Sequence, residues 1–270
     1  GDWAPGLSHP APEITPGPAP RSREISRLID RSVSGEVLGE ERIATLFSAR
    51  GADFHAVCEA ADILRQTVSG DAVTYVVNRN INYTNICTYG CKFCAFSKGR
   101  RREELGGAPY LLDLDEIERR AAEAWARGGT EVCMQGGIHP DFTGETYLAI
   151  CEAVKSAAPD IHIHAFSPLE VSQGAATLGL SVPAFLDKLR QAGLGSLPGT
   201  AAEILDDDVR AELCPDKLST AEWIRVMEQS HDAGFRTTAT IMFGHMEKPL
   251  SWGRHLTAIR ELQEHTGGFT

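Results

Sequence analysis

From Val73 onward, segments with the two-residue period of a strand alternate with segments of helical period, and this alternation limits the possible folds more than any other feature. The stretches "VTYVVNRNINYT" (73–84), "TEVCMQ" (130–135), "IHIHAF" (161–166), "LGSLPGT" (194–200) and "TTATIMF" (237–243) read as strands. Between the first two, Asp113 with Glu116 three residues later opens a helix carrying Leu114, Ile117, Ala121, Ala124 and Trp125, which Gly128 ends. "TYLAICEAVKSAA" is a second helix, and "PAFLDKLRQA" a third, with Pro183 in its first turn and Gly193 beyond its end. Ser219 and Glu222 form a capping box for a fourth, running through Trp223, Ile224 and Met227 to Gly234, and helix-period segments resume to Glu264. Repeated strand–helix units predict an α/β chain with a parallel sheet, and this many predict a partial or full TIM-like (β/α) barrel. Only five strands are legible before Thr270, and the closing "GGFT" reads as the approach to another. The barrel core, 73–270, is therefore expected to be incomplete at its C-terminal side.

Ahead of the barrel, 21–72 reads as a helical layer. Ser22 is placed to cap a helix bearing Ile25, Leu28 and Ile29, and Asp53 to cap one bearing Phe54, Val57, Ala61 and Leu64. Residues 1–20, rich in Pro, Gly and Ala, have too few bulky apolar side chains to offset their ordering entropy and read as an extended linker. A linker on a chain that opens with Gly1 is expected to follow another domain.

The strands carry an unusual pattern. Strands buried on both faces should be almost wholly apolar, yet each here has one polar face: Asn78, Asn80 and Asn82; Glu131, Cys133 and Gln135; His162 and His164; Thr238 and Thr240. The alternate positions, such as Val132, Met134, Ile161, Ile163, Ala239 and Ile241, are suited to pack on helices. One polar residue in a strand would be a hydrogen-bonded core group; the pattern on four strands favours a lumen that holds a polar ligand.

A net charge of −11 argues against binding a nucleic-acid backbone, and the basic run at 100–102 is followed at once by Glu103 and Glu104, as in a solvated loop. No apolar run reaches the roughly 18 residues of a membrane span, and no secretory signal is legible. Seven irregularly spaced cysteines fit no disulfide framework; a reducing cytoplasm, where thiols ligate metal, suits them better. Of these, Cys58, Cys151 and Cys214 read as small buried apolar residues.

Cys87, Cys91 and Cys94 crowd into eight residues just after the first strand, at the end where parallel barrels place their chemistry. Gly90 is expected to let the loop curl so that the sulfurs converge. A structural zinc wants four ligands; His139, Cys133 or Cys151 could supply the fourth, though none has paired spacing. A four-iron cluster usually takes four cysteines, so three leave one iron open to another ligand.

"CTYGCKFC", with Phe93 as the aromatic before the last cysteine, resembles the C-x3-C-x-aromatic-C signature of the radical S-adenosylmethionine (SAM) superfamily. The resemblance implies a [4Fe-4S] cluster on Cys87, Cys91 and Cys94 whose free iron binds the amino and carboxylate groups of SAM. One electron then cleaves a carbon–sulfur bond to give methionine and a 5'-deoxyadenosyl radical, so a reducing electron donor is also implied. "MQGGIHP" places Gln135 before Gly136 and Gly137, similar to the glycine pair that lets backbone approach the methionine part of SAM; a tight turn would want the same glycines. "TIMFGHME" resembles the adenine segment G-x-I-x-G-x-x-E, with Thr240 for its first glycine and Met242 for its isoleucine. Glu170 and Glu203 follow strands three and four, where either could meet the SAM ammonium or ribose, or else form an ordinary salt bridge.

Within the superfamily, "NRNINYTNICTYGCKFCAF" and "EVCMQGGIHP" look most similar to the tyrosine-dependent half of the FO synthase family, of deazaflavin coenzyme F(420) biosynthesis. That family joins the 4-hydroxybenzyl group of L-tyrosine to 5-amino-6-(D-ribitylamino)uracil, and a fused or separate second radical SAM domain supplies the other half. On this resemblance Asn80 and Asn82, with other lumen groups, would bind the ribityl chain or uracil, and His162 or His164 would take the phenolic proton. The futalosine-pathway enzymes of menaquinone synthesis share much of the pattern and are the alternative. A zinc or electron-transfer module without catalysis is a more distant one.

Overall fold

The computed structural model describes residues 19–20, 22–98 and 108–270. Most of the Pro- and Gly-rich opening and the basic run at 100–102 lie outside the described residues. The chain divides into two compact units, Gly1–Val73 and Thr74–Thr270. Among the described residues no helix is long and apolar enough to cross a membrane.

The first unit holds helices α1 (Arg23–Val33), α2 (Glu40–Phe47) and α3 (Ala52–Ser69). Ser22 caps α1 as expected, its hydroxyl accepting from the Ile25 N–H. Asp53 does not cap α3: Gly51, at φ +58°, is the N-cap. The Asp53 carboxylate instead accepts the Ser22 N–H at 3.0 Å, tying the start of α1 to α3. Phe54 and Leu64, expected on a buried face, stay exposed, while Ile25, Leu28 and Ala56 are buried.

The second unit is a partial (β/α) barrel. Its strands β1 (Asn78–Asn82), β2 (Glu131–Gln135), β3 (His162–Ala165), β4 (Ser196–Leu197) and β5 (Arg236–Thr237) are all parallel and lie in chain order. Each crossover therefore moves one place in the same direction, the connection rule of barrels. Phe269 forms a parallel bridge with Thr237, and the Thr270 N–H donates to the Thr237 carbonyl at 2.9 Å, so the final residues take a sixth position beside β5.

Helices α4 (Leu114–Ala126), α5 (Gly144–Ala157), α6 (Pro168–Thr177), α7 (Val182–Gln191), α8 (Asp207–Leu213), α9 (Thr220–Asp232) and α10 (Pro249–Thr266) fill the connections. Ile81, Val132, Met134, Ile163, Ala165 and Leu197 have no measurable exposure and share one core with Ile117, Ala121, Tyr147, Ile150, Phe185 and Leu186 from the helices. The opposite parity is the polar face. Its register is continuous: Asn78 pairs with Glu131 and Glu131 with His162; Asn80 pairs with Cys133, Cys133 with His164 and His164 with Ser196; Asn82 pairs with Gln135. None of these polar residues is fully buried, so the alternation read from sequence becomes one apolar sheet face under helices and one polar face on the lumen.

β1, β4 and β5 are much shorter than their sequence patterns. β2 begins at Glu131, opposite Asn78, so 73–76 run past the end of the available ladder and Val73 and Tyr75 are 90% and 86% exposed. After β5 the ladder gives way to side-chain bonds. The Thr238 hydroxyl accepts the Gly199 N–H at 3.1 Å and the Thr240 hydroxyl donates to the Gly199 carbonyl at 2.6 Å. A side chain at Gly199 would bring its Cβ to 2.8 Å from the Ala239 Cα, so these backbones meet only because residue 199 is glycine.

His255 on α10 ties the segment after β4 to the segment after β5. It is 1% exposed, its Nδ1 accepts the Leu205 N–H at 3.0 Å, and its ring also bonds the Thr240 backbone. Burial lowers its pKa from 6.5 to about 4. A depressed folded value means the unfolded chain takes up a proton first. This contribution is therefore full above pH 6.5 and is lost as the pH falls towards 4. At about 1.4 kcal/mol per tenfold change in proton affinity, the expected loss is about 3 kcal/mol. Urea unfolding at pH 7 and pH 4.5 should show a fall in midpoint that is smaller in His255→Gln.

Candidate active site

The loop after β1 is pinned by backbone and side-chain bonds before any ligand is considered. Tyr83, fully buried, packs edge-on to Phe166 and beside Phe142, and its hydroxyl donates to Glu170. The Gly137 N–H donates to the Thr84 carbonyl at 3.0 Å and the Thr88 N–H to the Ile138 carbonyl at 2.9 Å, stitching the loop to the segment after β2. Farther along, the Lys92 N–H donates to the Leu213 carbonyl at 2.8 Å and the Gly90 N–H to Asp216 at 3.4 Å. Gly90 is not in the left-handed region, and a Cβ there would make only ordinary contact with Asp216. The loop therefore curls through these bonds and not through glycine's conformational freedom.

Cys87, Cys91 and Cys94 line one cavity of about 270 Å³, with Phe93, Gln135, Gly136, Gly137, Glu170 and Glu203 also in its wall. The Cys87 sulfur accepts the Ile138 N–H at 3.3 Å and the Cys94 sulfur the Ser97 N–H at 3.4 Å. Burial pushes the Cys91 thiol up to about 11, against the opposing pull of Lys217. Cys58 is exposed, contrary to its expected burial, while Cys151 and Cys214 are buried. Among the described residues no group of three or more His, Cys, Asp or Glu side chains is arranged to hold one metal ion. His139, Cys133 and Cys151 thus complete no closed zinc site with the three thiols. A cubane makes a different demand, since each thiolate binds its own iron.

The glycine pair answers to packing. A Cβ on Gly136 would enter the Tyr83 ring, and one on Gly137 would overlap the Ile86 carbonyl and stand 2.8 Å from the Cys87 Cβ. Gly137→Ala is therefore expected to displace the Cys87 backbone and lower the iron bound after anaerobic reconstitution by at least about tenfold, an effect of the size seen when groups orienting a metal ligand are lost. Iron analysis of the purified variant checks this.

Glu170 is 2% exposed at the third residue of α6. Its carboxylate accepts from the Ser167 N–H and hydroxyl, both at 2.6 Å, the Gly136 N–H at 3.2 Å, and the Tyr83 hydroxyl. Burial raises its pKa while the Ser167, Tyr83 and Gly136 donors pull it back. Those four donors fill the roughly four acceptor sites of a carboxylate, which makes Glu170 the post that holds β1, β2 and α6 at the cavity.

Lys217 is a wall residue that sequence reading missed. Its ammonium lies 2.5 Å from the Glu203 carboxylate and 5.4 Å from the Phe93 ring centroid, with both charged side chains largely enclosed. Burial would lower its pKa, but Glu203 and Cys91 outweigh that and leave it above its ordinary value. Phe166, Ala201 and Glu203 have positive φ without being glycine, and all follow strands at this end of the barrel. Backbone strain of this kind, about 1–3 kcal/mol per residue, persists where the surroundings fix it and clusters at ligand sites.

The remaining expected residues lie off this wall. Thr240 bonds Gly199 as described, and the Met242 N–H donates to the Glu203 carbonyl at 3.0 Å. In the same segment the N–H groups of Gly244, His245 and Met246 and the Trp252 indole all reach Glu247. Partial burial would raise the Glu247 pKa; these donors hold it at about 2. Asn80, Asn82, His162 and His164 sit on the polar lumen face of β1 and β3, Asn82 in register with the cavity residue Gln135.

Residues 81–257 match the family model of the radical SAM superfamily. The chain belongs to the radical SAM superfamily. It is 48% identical over 233 residues to the FO synthase of Streptomyces coelicolor, a match covering 86% of this chain and 26% of that protein. It is 54% identical over 214 residues to the 5-amino-6-(D-ribitylamino)uracil–L-tyrosine 4-hydroxyphenyl transferase of Methanocaldococcus jannaschii, covering 78% of this chain and 58% of that one. The chain thus spans only part of the curated relatives it matches. Its fold is also that of the crystal structure of methylornithine synthase: the TM-score is 0.66 at 20% identity, with 87% of this chain and 64% of that one covered. HydG, a maturase of the [FeFe]-hydrogenase, gives the same score at 14% identity over 91% of this chain and 52% of its own.

Radical SAM membership implies a [4Fe-4S] cluster and SAM. The donor set fits: three soft sulfur ligands on one cavity wall, two of them already accepting backbone N–H groups of the kind that stabilise thiolates around a cluster.

Proposed function

We propose that this chain carries the tyrosine-dependent step of FO formation, moving the 4-hydroxybenzyl group of L-tyrosine to 5-amino-6-(D-ribitylamino)uracil. The observation that carries the reading is the 54% identity to the transferase of that name, and the polar lumen agrees with it. Cys87, Cys91 and Cys94 would each bind one iron of a cluster, leaving the fourth for the amino and carboxylate groups of SAM. Bound together, cluster and SAM supply a 5'-deoxyadenosyl radical after one-electron reduction.

The chain's own residues do the rest. Glu170 fixes Gly136 and Tyr83, and with them the wall beside Cys87. Lys217, Glu203 and Gln135 present charge and hydrogen-bonding groups to the methionine and ribose parts of SAM at the cavity. Thr240 and Met242 shape the segment proposed to meet adenine. On the lumen face Asn80 and Asn82 offer amides to a ribityl chain or a uracil edge. His164 accepts the phenolic proton: burial lowers its pKa, so the ring is neutral and able to take a proton near pH 7. The seven irregularly spaced cysteines suit a reducing cytoplasm, and a second radical SAM domain, fused or separate, completes FO synthesis.

The test is anaerobic incubation of the reconstituted, reduced protein with SAM, tyrosine and the ribitylaminouracil. The benzylated uracil is expected. Conversion of a futalosine precursor with no uracil adduct would overturn the proposal. His164→Ala is expected to slow adduct formation on the order of a hundredfold, the usual weight of a general base; turnover at the parent rate would remove His164 from that role.

A further inference from the structure

Two histidines on the lumen face share one hydroxyl. Ser196 Oγ lies 2.7 Å from His162 Nε2 and 2.7 Å from His164 Nδ1. A serine hydroxyl has one proton. It donates to one ring and accepts from the other, so the three side chains form a directional chain. The strands set its ends. His162, in register with Glu131, lies at the N-terminal ends of the strands, and its side chain is 45% exposed. His164 is one pleat step, about 7 Å, further up the strand. It is half-buried and in register with Cys133 and Ser196, between His162 and the layer of Asn82 and Gln135. Gln135 itself lines the cavity of the three cysteines.

The arrangement exceeds what packing would need. An exposed histidine has no buried polar group to satisfy, yet His162 is locked in place. A Cβ on Gly195 would enter its ring, so the glycine before Ser196 makes room for it. On its other side Glu131 holds a carboxylate oxygen 4.0 Å from Nε2 and also accepts from the Asn78 amide. Among the described residues, the charged and titratable groups in register with His162, His164 and Ser196 are Glu131 and Cys133 on β2, opposite the histidines, and Arg236 on β5, opposite Ser196. Arg236 is occupied in part by the Gly267 carbonyl.

We propose that His164, Ser196 and His162 form a proton relay between the barrel lumen and solvent at the N-terminal ends of the strands, with Ser196 as its positioning residue. The proposal rests on the proposed function for the source of the proton, the tyrosine phenol. The phenolic O–H breaks as His164 Nε2 gains the proton. His164 Nδ1–H passes its own to Ser196 Oγ, the original Ser196 proton moves to His162 Nε2, and His162 Nδ1–H loses one to water. One proton leaves the lumen, no electrons move, and each ring ends as its other tautomer. One proton travelling inward by the reverse path resets the chain. The low proton affinity that burial gives His164 keeps the inner ring from trapping the charge.

Ring nitrogen-15 spectra and adduct kinetics test this together. In the parent protein His162 and His164 should each show one dominant neutral tautomer and should titrate in a coupled way. Ser196→Ala should mix the tautomers, uncouple the titrations, slow adduct formation about tenfold or more, and shift the pH–rate profile. Ser196→Thr, which keeps the hydroxyl, should restore all of these. Gly195→Ala, which keeps Ser196 but displaces the His162 ring, should reproduce the loss. Ser196→Ala with the parent's rate and pH profile would overturn the relay. If the parent forms 5'-deoxyadenosine but no uracil adduct, the functional reading fails. The spectra then decide the relay alone, and independent titration of the two rings in the parent would refute it.

Discussion

Cys91→Ala is expected to abolish 5'-deoxyadenosine formation, to the background of protein without iron, and to lower bound iron and sulfide with it. Cys91 is the middle of the three thiols and the most enclosed. It is 7% exposed and packs with Ile204, Val209, Leu213 and Cys214. Burial raises its thiol pKa, so metal binding there must displace the thiol proton. Two thiolates leave two iron corners without protein ligands, and no cavity-lining cysteine stands in reserve; Cys214, though near, does not line the cavity. Cys151→Ala is the matched control. Cys151 is fully buried in the helix–sheet core, away from the cavity, so it should lose about 1 kcal/mol of stability and keep its iron. Parallel iron, sulfide and 5'-deoxyadenosine measurements separate the two outcomes. A Cys91→Ala protein that still cleaves SAM would end the cluster assignment.

Glu170→Ala should be the most destabilising single change at the site. It removes the acceptor for the Ser167 N–H, the Gly136 N–H and the Tyr83 hydroxyl in a place closed to solvent. Leaving such donors unpaired costs about 1–3 kcal/mol each. A total of roughly 3–5 kcal/mol is expected, in line with breaking other buried polar networks. Tyr83→Phe, which removes one donor and leaves the others, should lose only about 1 kcal/mol. Guanidinium unfolding of both variants checks the ratio. If Glu170→Ala unfolds at the parent midpoint but no longer binds SAM, Glu170 is a ligand and not a post.

The polar and apolar parities of β1, β2 and β3 were legible in sequence, since a side-chain period of two places Ile81, Val132 and Ile163 opposite Asn80, Cys133 and His164 whatever the surroundings. The convergence of Cys87, Cys91 and Cys94 was legible in their local spacing, and the three line one cavity. Strand lengths were not, because a ladder needs a partner; 73–76 have strand chemistry but extend beyond β2. For Glu170 the sequence leaves a cofactor contact and an ordinary salt bridge open; "SPLE" also carries the helix-start signal of α6, Ser167 at the cap, Pro168 next and Glu170 at the third position. Asp53 illustrates a tertiary bond, to the Ser22 N–H, displacing the local capping reading. Lys217 and Ser196 carry no local mark. Each acquires its partners only through crossovers that bring distant segments to the same cavity or layer.

The most direct measurement is electron paramagnetic resonance of the reduced, anaerobically reconstituted protein with and without SAM. A cubane held by Cys87, Cys91 and Cys94 alone should give a four-iron signal whose g-values shift when SAM binds the remaining iron. The absence of any such cluster, or a signal indifferent to SAM because side chains fill every corner, would contradict the account.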